Sequence, residues 1–319
     1  MSSQFLTKIA VVGAGGQLGK PTLQHLLAAK RFNITLITRD GSDTKFPSDP
    51  SITVKPVDYN SQESLVSAFK GNEALVLILN FAALEQTQMD LIKAASAAGI
   101  KYILPTEYGS DNAVEKLSNM VPINALKAGP RNLVEELAKT HPGLTWIGLV
   151  SNPWFDYSLN NGGFGINVKT RTATLYDGGV SKFNTTLIPT VGLAIARLLS
   201  LPVSTLSSPK VANKFIYVSS FHTTQREILS AVQKATGTND ADWNIDTSKT
   251  SQGFIDEGNQ LLKDGNFSGM VNLLYGTLFN PGLGGDYEST KGTDNKLLGL
   301  PQQDERDMAV VVQEIIENS

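Results

Sequence analysis

The chain has no cysteine. Disulfides and thiolate chemistry are thereby excluded, and a metal site loses its commonest soft ligand. Histidine is nearly as scarce. His25, His141 and His222 stand far apart, show no metal-ligand spacing, and give no reason to expect a metal. No apolar run approaches the length of a membrane span, and Phe5-Leu6 is too short for a signal-peptide core. Net charge is −3, so there is no basic field to attract nucleic acid or acidic lipid. Internal repeats and low-complexity tracts are missing too. What remains is a soluble, cytoplasmic protein whose expected partner is a small molecule. Its 319 residues suffice for one large domain or two modest ones.

Glycine is where the chain is rich. Ile9 to Val12 reads as a buried strand that runs into Gly13-Ala-Gly-Gly-Gln-Leu-Gly19, and a helical pattern follows with Pro21 in its first turn. Strand, glycine turn and helix form the layout in which a diphosphate rests on amides at a helix N-terminus. Gly13 is suited to the sharp turn, Gly15 and Gly16 leave room for phosphate, and Gly19 lets helix and strand pack closely. Gln17 and Leu18 complete the turn. The spacing is G-x-x-G-x-x-G rather than G-x-G-x-x-G, so the weight falls on the strand–turn–helix context.

A second strand, Ile34 to Thr38, ends at Arg39. An acid after this strand holds the ribose hydroxyl of NAD, whereas arginine accommodates the extra phosphate of NADP. Arg39 therefore favours NADP(H), with Lys45 a second candidate cation and Asp40 the competing ribose ligand. Val54 to Val57 is a third strand. Asp58 after it is placed either to meet adenine or to cap the next turn. Asn60 and Glu63 have the spacing of a capping box. Ala74 to Leu79 is the most apolar run and reads as a central strand, with Asn80 and Phe81 at its carboxyl end as cofactor neighbours.

Helix and strand signals then alternate through Gln88 to Ala98, Tyr102 to Leu104, a helix around Leu133 to Ala138, and Thr145 to Val150. This rhythm predicts an α/β fold, a doubly wound parallel Rossmann sheet with a smaller C-terminal substrate domain. The expected nucleotide domain is 1–153, with about 184–220 returning to it, and the substrate domain is 154–319. Thr172 to Tyr176 and Val180 to Phe183, joined by Asp177-Gly-Gly179, resemble a hairpin. Pro189 to Leu199 and Asp304 to Glu317 read as helices, and Lys214 to Val218 as a strand.

Several stretches share one order: the glycine turn, Leu104-Pro-Thr-Glu-Tyr-Gly109, Lys127 with Arg131 and Glu135, and Val150-Ser-Asn-Pro-Trp154. Together they resemble the NmrA-like, isoflavone reductase-like family of atypical short-chain dehydrogenases. The resemblance covers the first half and thins toward Leu297-Leu-Gly-Leu-Pro301. It implies an NADP(H)-binding oxidoreductase in which Lys127 holds the catalytic lysine's place and can also touch the nicotinamide ribose. It puts Asn152 where the family's chain passes the nicotinamide. It also admits a second kind of relative, a non-enzymatic NADP(H) sensor that binds other proteins.

Two departures stand out. The usual Tyr-x-x-x-Lys is absent at Lys127, because Ile123 lies four residues before it; Tyr287-x-x-x-Lys291 falls in a late glycine-rich segment and reads as coincidence. Pro130 cannot continue a helix from Lys127, although it can open one, which sets the lysine outside the helix interior. The implied chemistry is hydride transfer to a small aromatic or phenolic molecule, with Lys127 assisting the proton. Phe81, Tyr108, Trp154, Phe155 and Phe164 read equally as pocket walls or as core.

Overall fold

A computed structural model describes residues 4–301 and 303–317. Five parallel pairings join six strands in the order β3-β2-β1-β4-β5-β6, where β1 is Lys8–Val12, β2 Asn33–Arg39, β3 Ile52–Val57, β4 Ala74–Leu77, β5 Tyr102–Leu104 and β6 Thr145–Val150. The strand Lys214–Tyr217 extends the sheet beyond β6. This is the doubly wound order, and its reversal falls between β1 and β4. β4 is the middle of the seven strands, as its unbroken apolar run predicts.

The helices of this half are α1 (Gly19–Ala28), α2 (Gln62–Phe69), α3 (Gln86–Ala97), α4 (Glu115–Met120), α5 (Pro122–Ala125) and α6 (Ala128–Ala138). Side chains alternate across a strand. Ala10, Val12, Leu75, Leu77 and Ile103 accordingly share one core with Leu65 and Phe69 of α2, Leu91 and Ile92 of α3, and Val134 of α6. Their neighbours Val11, Leu36 and Val76 point to the other face and are buried as well. On α1, Pro21 and Thr22 lie against the helix Ile188–Leu199, where a Cβ on Gly192 would come within 2.8 Å of the Thr22 amide nitrogen.

Two local expectations are corrected. α2 is capped by Ser61, whose hydroxyl accepts from the Ser64 amide at 3.2 Å, and not by the Asn60–Glu63 box. Asn60 instead gives its amide to Asp58 Oδ1 at 2.9 Å, which moves the helix start one residue on. Nor do Thr172–Thr174 and Phe183–Thr185 form a hairpin. The first pairs with Ile166–Asn167 and Asn244–Asp246, the second with Phe221–Thr223. Between them Asp177 and Gly178 adopt left-handed backbone inside a short 3₁₀ turn, which carries the chain away from its own strand.

The chain forms two compact units. One takes residues up to Tyr108, Ala125–Leu149 and Pro189–Ile216; the other takes Gly109–Asn124, Val150–Ile188 and the residues from Tyr217 on. The second unit has its own aromatic core, in which Phe155, Phe164, Phe183 and Phe279 are fully buried. No helix among the described residues is long and apolar enough to cross a membrane.

Candidate active site

The carboxyl ends of β1 and β4 adjoin at the reversal of strand order, where open α/β sheets bind their ligands. Gly13 follows β1 with φ +85, and a Cβ there would collide with the Ile78 carbonyl just beyond β4. Gly19 opens α1 so close to Gly13 O and the Ala14 backbone that it too has no room for a side chain. The turn closes on itself through Gly16 N to Gly13 O at 3.1 Å. Gly16 and Gln17 are exposed, whereas Leu18 is buried and anchors the turn. Among the described residues the amides of Gln17 and Leu18 have no backbone acceptor. The result is a cradle with donors and no Cβ in the way, which fits a diphosphate.

Arg39 is the last residue of β2 and is exposed, as is Lys45. Asp40, the competing ribose ligand, turns back on its own loop by accepting the Gly41 amide at 3.0 Å. The loop returns to the glycine turn, where Thr44 lies against Gly15. Asp58 Oδ1 accepts the Asn60 amide at 2.9 Å. Tyr59, which the sequence did not single out, is half-buried; burial raises its phenol pKa while the Arg39 charge lowers it, so the two side chains share this corner. Asn80 precedes the 3₁₀ turn Phe81–Ala83, and Phe81 is 53% exposed at the end of the central strand.

The turn after β5 is tied down by a buried threonine. Thr106 Oγ1 donates to Leu77 O at 3.0 Å, accepts from Leu79 N at 3.3 Å, and its amide donates to Gln88 Oε1 at 2.7 Å. Glu107 comes next, 2% exposed, and then Tyr108, buried at φ +23. Burial and the Glu107 carboxylate both push the Tyr108 phenol pKa far up, so it stays neutral.

Lys127 is the N-cap residue of α6, outside the helix interior, with Pro130 in the first turn. Its side chain is 8% exposed and Nζ donates to the Glu107 carbonyl at 2.7 Å. Burial lowers its pKa below that of an ordinary lysine, and Arg131 lowers it further, against an opposing pull from Glu107. Arg131 Nη1 bonds Glu107 Oε1 and, at 3.1 Å, the Lys127 carbonyl. Its guanidinium lies over Phe215 and Trp146, and Glu135 accepts the Trp146 indole N–H at 2.8 Å. Lys127 and Arg131 thus belong to one buried arrangement, and the exposed Glu135 closes its rim through Trp146. Sequence reading missed its hub, Glu107; the only available signal was the polar turn at the ligand edge.

Asn152 lies in the second unit, 2% exposed at φ +52, with its amide donating to Gly285 O at 2.8 Å. Of the aromatic candidates, Phe155 and Phe164 are core. Tyr287 and Lys291 do not form an acid–base pair. The Tyr287 hydroxyl donates to Val218 O, while Lys291 pairs with Asp111.

The NmrA-like family profile matches residues 6–151. The oxidoreductase aprR of Aspergillus flavus is 32% identical over 302 residues, 92% of this chain and 94% of its own length. Leucoanthocyanidin reductase of Vitis vinifera, solved with NADPH, superposes with a TM-score of 0.72 at 18% identity, covering 97% of this chain and 99% of that one. The NADPH complex of Escherichia coli quinone oxidoreductase QOR2 gives 0.68 at 19%, with coverage of 97% and 99%. With a relative of that identity spanning nearly its whole length, the chain belongs to the NmrA-like family.

Proposed function

We propose that the protein is an oxidoreductase that uses NADPH to reduce a small aromatic or phenolic molecule, with Lys127 managing the proton. The observation that carries the reading is the burial of Lys127 beside the ligand edge of the sheet, with its pKa lowered. Lysines are almost never buried without a reason, and a lowered pKa makes one a usable acid or base.

The cofactor assignment rests on the glycine-rich cradle at Gly13–Gly19 and on Arg39, with Asp40 Oδ1 taken up by its own loop. Gly15, Gly16, Gln17 and Leu18 offer amides and space to the diphosphate. Arg39 and Lys45 supply the charge for the ribose phosphate. Asn80 and Phe81, at the end of the central strand, would border the nicotinamide half. When bound, NADPH supplies the hydride. Lys127, held against Glu107 O, supplies the proton that accompanies it. The ammonium gives up one N–H to the new anionic atom and is left neutral, a form that its burial favours. The relatives' names fit an aromatic or quinonoid substrate, since they include reductases of quinones, leucoanthocyanidins and triphenylmethane compounds.

Calorimetry with NADPH tests the first half, and an NADPH-oxidation screen over quinones and aromatic carbonyls tests the second. The expected result is binding together with turnover that Lys127→Ala lowers by orders of magnitude. Tight NADPH binding with no turnover on any acceptor, and a co-purifying protein partner, would make the chain a nucleotide sensor instead.

A further inference from the structure

We infer that Arg131 is a positioning residue that occupies the Glu107 carboxylate and so leaves the Lys127 ammonium without a counter-ion of its own. The inference deepens, and rests on, the acid–base reading of Lys127. Two cations share one buried anion here. Lys127 meets Glu107 at the backbone carbonyl, 2.7 Å away, while the carboxylate is bonded by Arg131. Arginine cannot give up its proton in a protein. The proton able to leave this trio is therefore the lysine's.

The surroundings hold that division in place. Arg131 Nη1 also bonds the carbonyl of Lys127 itself, so the guanidinium spans both residues. Phe215 and Trp146 flank the guanidinium, 5.1 and 5.8 Å from ring centroid to Cζ. Gly148 lets the wall close: a Cβ there would lie 2.6 Å from the Phe215 ring and 3.3 Å from Glu107 Cγ. Each element around the lysine contributes one kind of group. The turn after β5 brings Glu107 and the neutral Tyr108. α6 brings Arg131, and its Glu135 is bound to the indole of Trp146 on β6. α3 brings the uncharged Met89 up to Gly129, while its Asp90 and Lys93 pair with each other at the surface. Glu107 and Arg131 are thus the charges that set the balance, and they act with opposite sign.

The test is a pH titration of the full-length protein labelled with ¹³C-lysine, without cofactor or substrate. It follows the Lys127 Cε resonance, assigned by its loss in Lys127→Met. Arg131→Met unmasks the carboxylate and should raise the Lys127 midpoint by about one to three pH units, the effect of an opposite charge at close range. Glu107→Gln should lower it. The double variant should titrate above Glu107→Gln, and it keeps the test alive if the orphaned carboxylate of Arg131→Met prevents folding. Midpoints that stay put, or that move in the same direction in both single variants, would overturn the inference, because a merely structural arginine predicts no opposed pair of shifts. The two ideas fail separately. Unmoved midpoints with turnover lost in Lys127→Ala sink only the role of Arg131. Opposed shifts with turnover intact in Lys127→Ala sink the acid–base reading.

Discussion

The methyl group of Thr44 stands where a side chain on Gly15 would have to go, since a Cβ there would lie 2.6 Å from Thr44 Cγ2. The loop after β2 therefore leans on the glycine turn, and the charges at Arg39 and Lys45 are carried on a segment registered against it. Thr44 is exposed and can yield. Gly15→Ala should fold normally, displace the loop and weaken NADPH more than NADH. Paired calorimetric titrations with the two nucleotides check this.

Gly13 and Gly19 have no such freedom, because their missing Cβ atoms face backbone. Gly13 also sits at φ +85, where an L side chain alone costs about 1–3 kcal/mol. Gly13→Ala should lower stability by at least that much, before the clash with Ile78 O is counted. Urea unfolding followed by circular dichroism reads it directly, and an unchanged midpoint would contradict the close approach of Gly13 to the Ile78 carbonyl.

Arg39 is exposed, so its removal should leave folding alone and act on nucleotide choice. A charge-assisted hydrogen bond is worth about 1.5–3 kcal/mol, or roughly tenfold to a hundredfold in affinity. Arg39→Ala should lose about that factor for NADPH and little for NADH. Equal losses for both would place the arginine on adenine rather than on the extra phosphate.

Lys127→Ala should lose about 10²- to 10⁴-fold in turnover, the usual contribution of a positioned acid, with NADPH affinity retained. On the proposed mechanism the donor in the wild type is the protonated lysine. Turnover should therefore fall as pH rises through a midpoint below that of an ordinary lysine, because burial depresses it. Stability runs the other way. The unfolded lysine keeps its higher pKa and binds more protons between the two values, so the wild type gains stability with rising pH in that window. Lys127→Met should show its largest stability advantage below the folded-state pKa and lose it as pH rises. Denaturant melts across the window check the sign.

Much of this was legible in the chain. The apolar run at Ala74 placed the middle strand, and Arg39 stands at the end of the second strand as its pattern implied. Pro130 signalled that Lys127 lies outside a helix interior, and it is the N-cap residue. What local pattern could not show was pairing at a distance. Glu107 and Arg131 are separated by 24 positions, and nothing near either announces the other. Thr172 and Phe183 looked like a hairpin because a glycine turn joins them, yet each strand chose a partner from elsewhere. The α2 cap shifted by one residue for a local reason: Asp58 claims the Asn60 amide, a competition that spacing alone does not weigh.

The place of Lys127 at the start of α6 separates two tasks within one residue. Its main chain begins the helix and its carbonyl receives Arg131, while only the side chain reaches Glu107. Almost any residue tolerated at a helix start would preserve the first task and forfeit the second. On the proposed mechanism, one codon change there would then yield a well-folded protein that soaks up reduced nucleotide and turns it over far more slowly, a ready-made decoy for telling nucleotide capture apart from chemistry inside a cell.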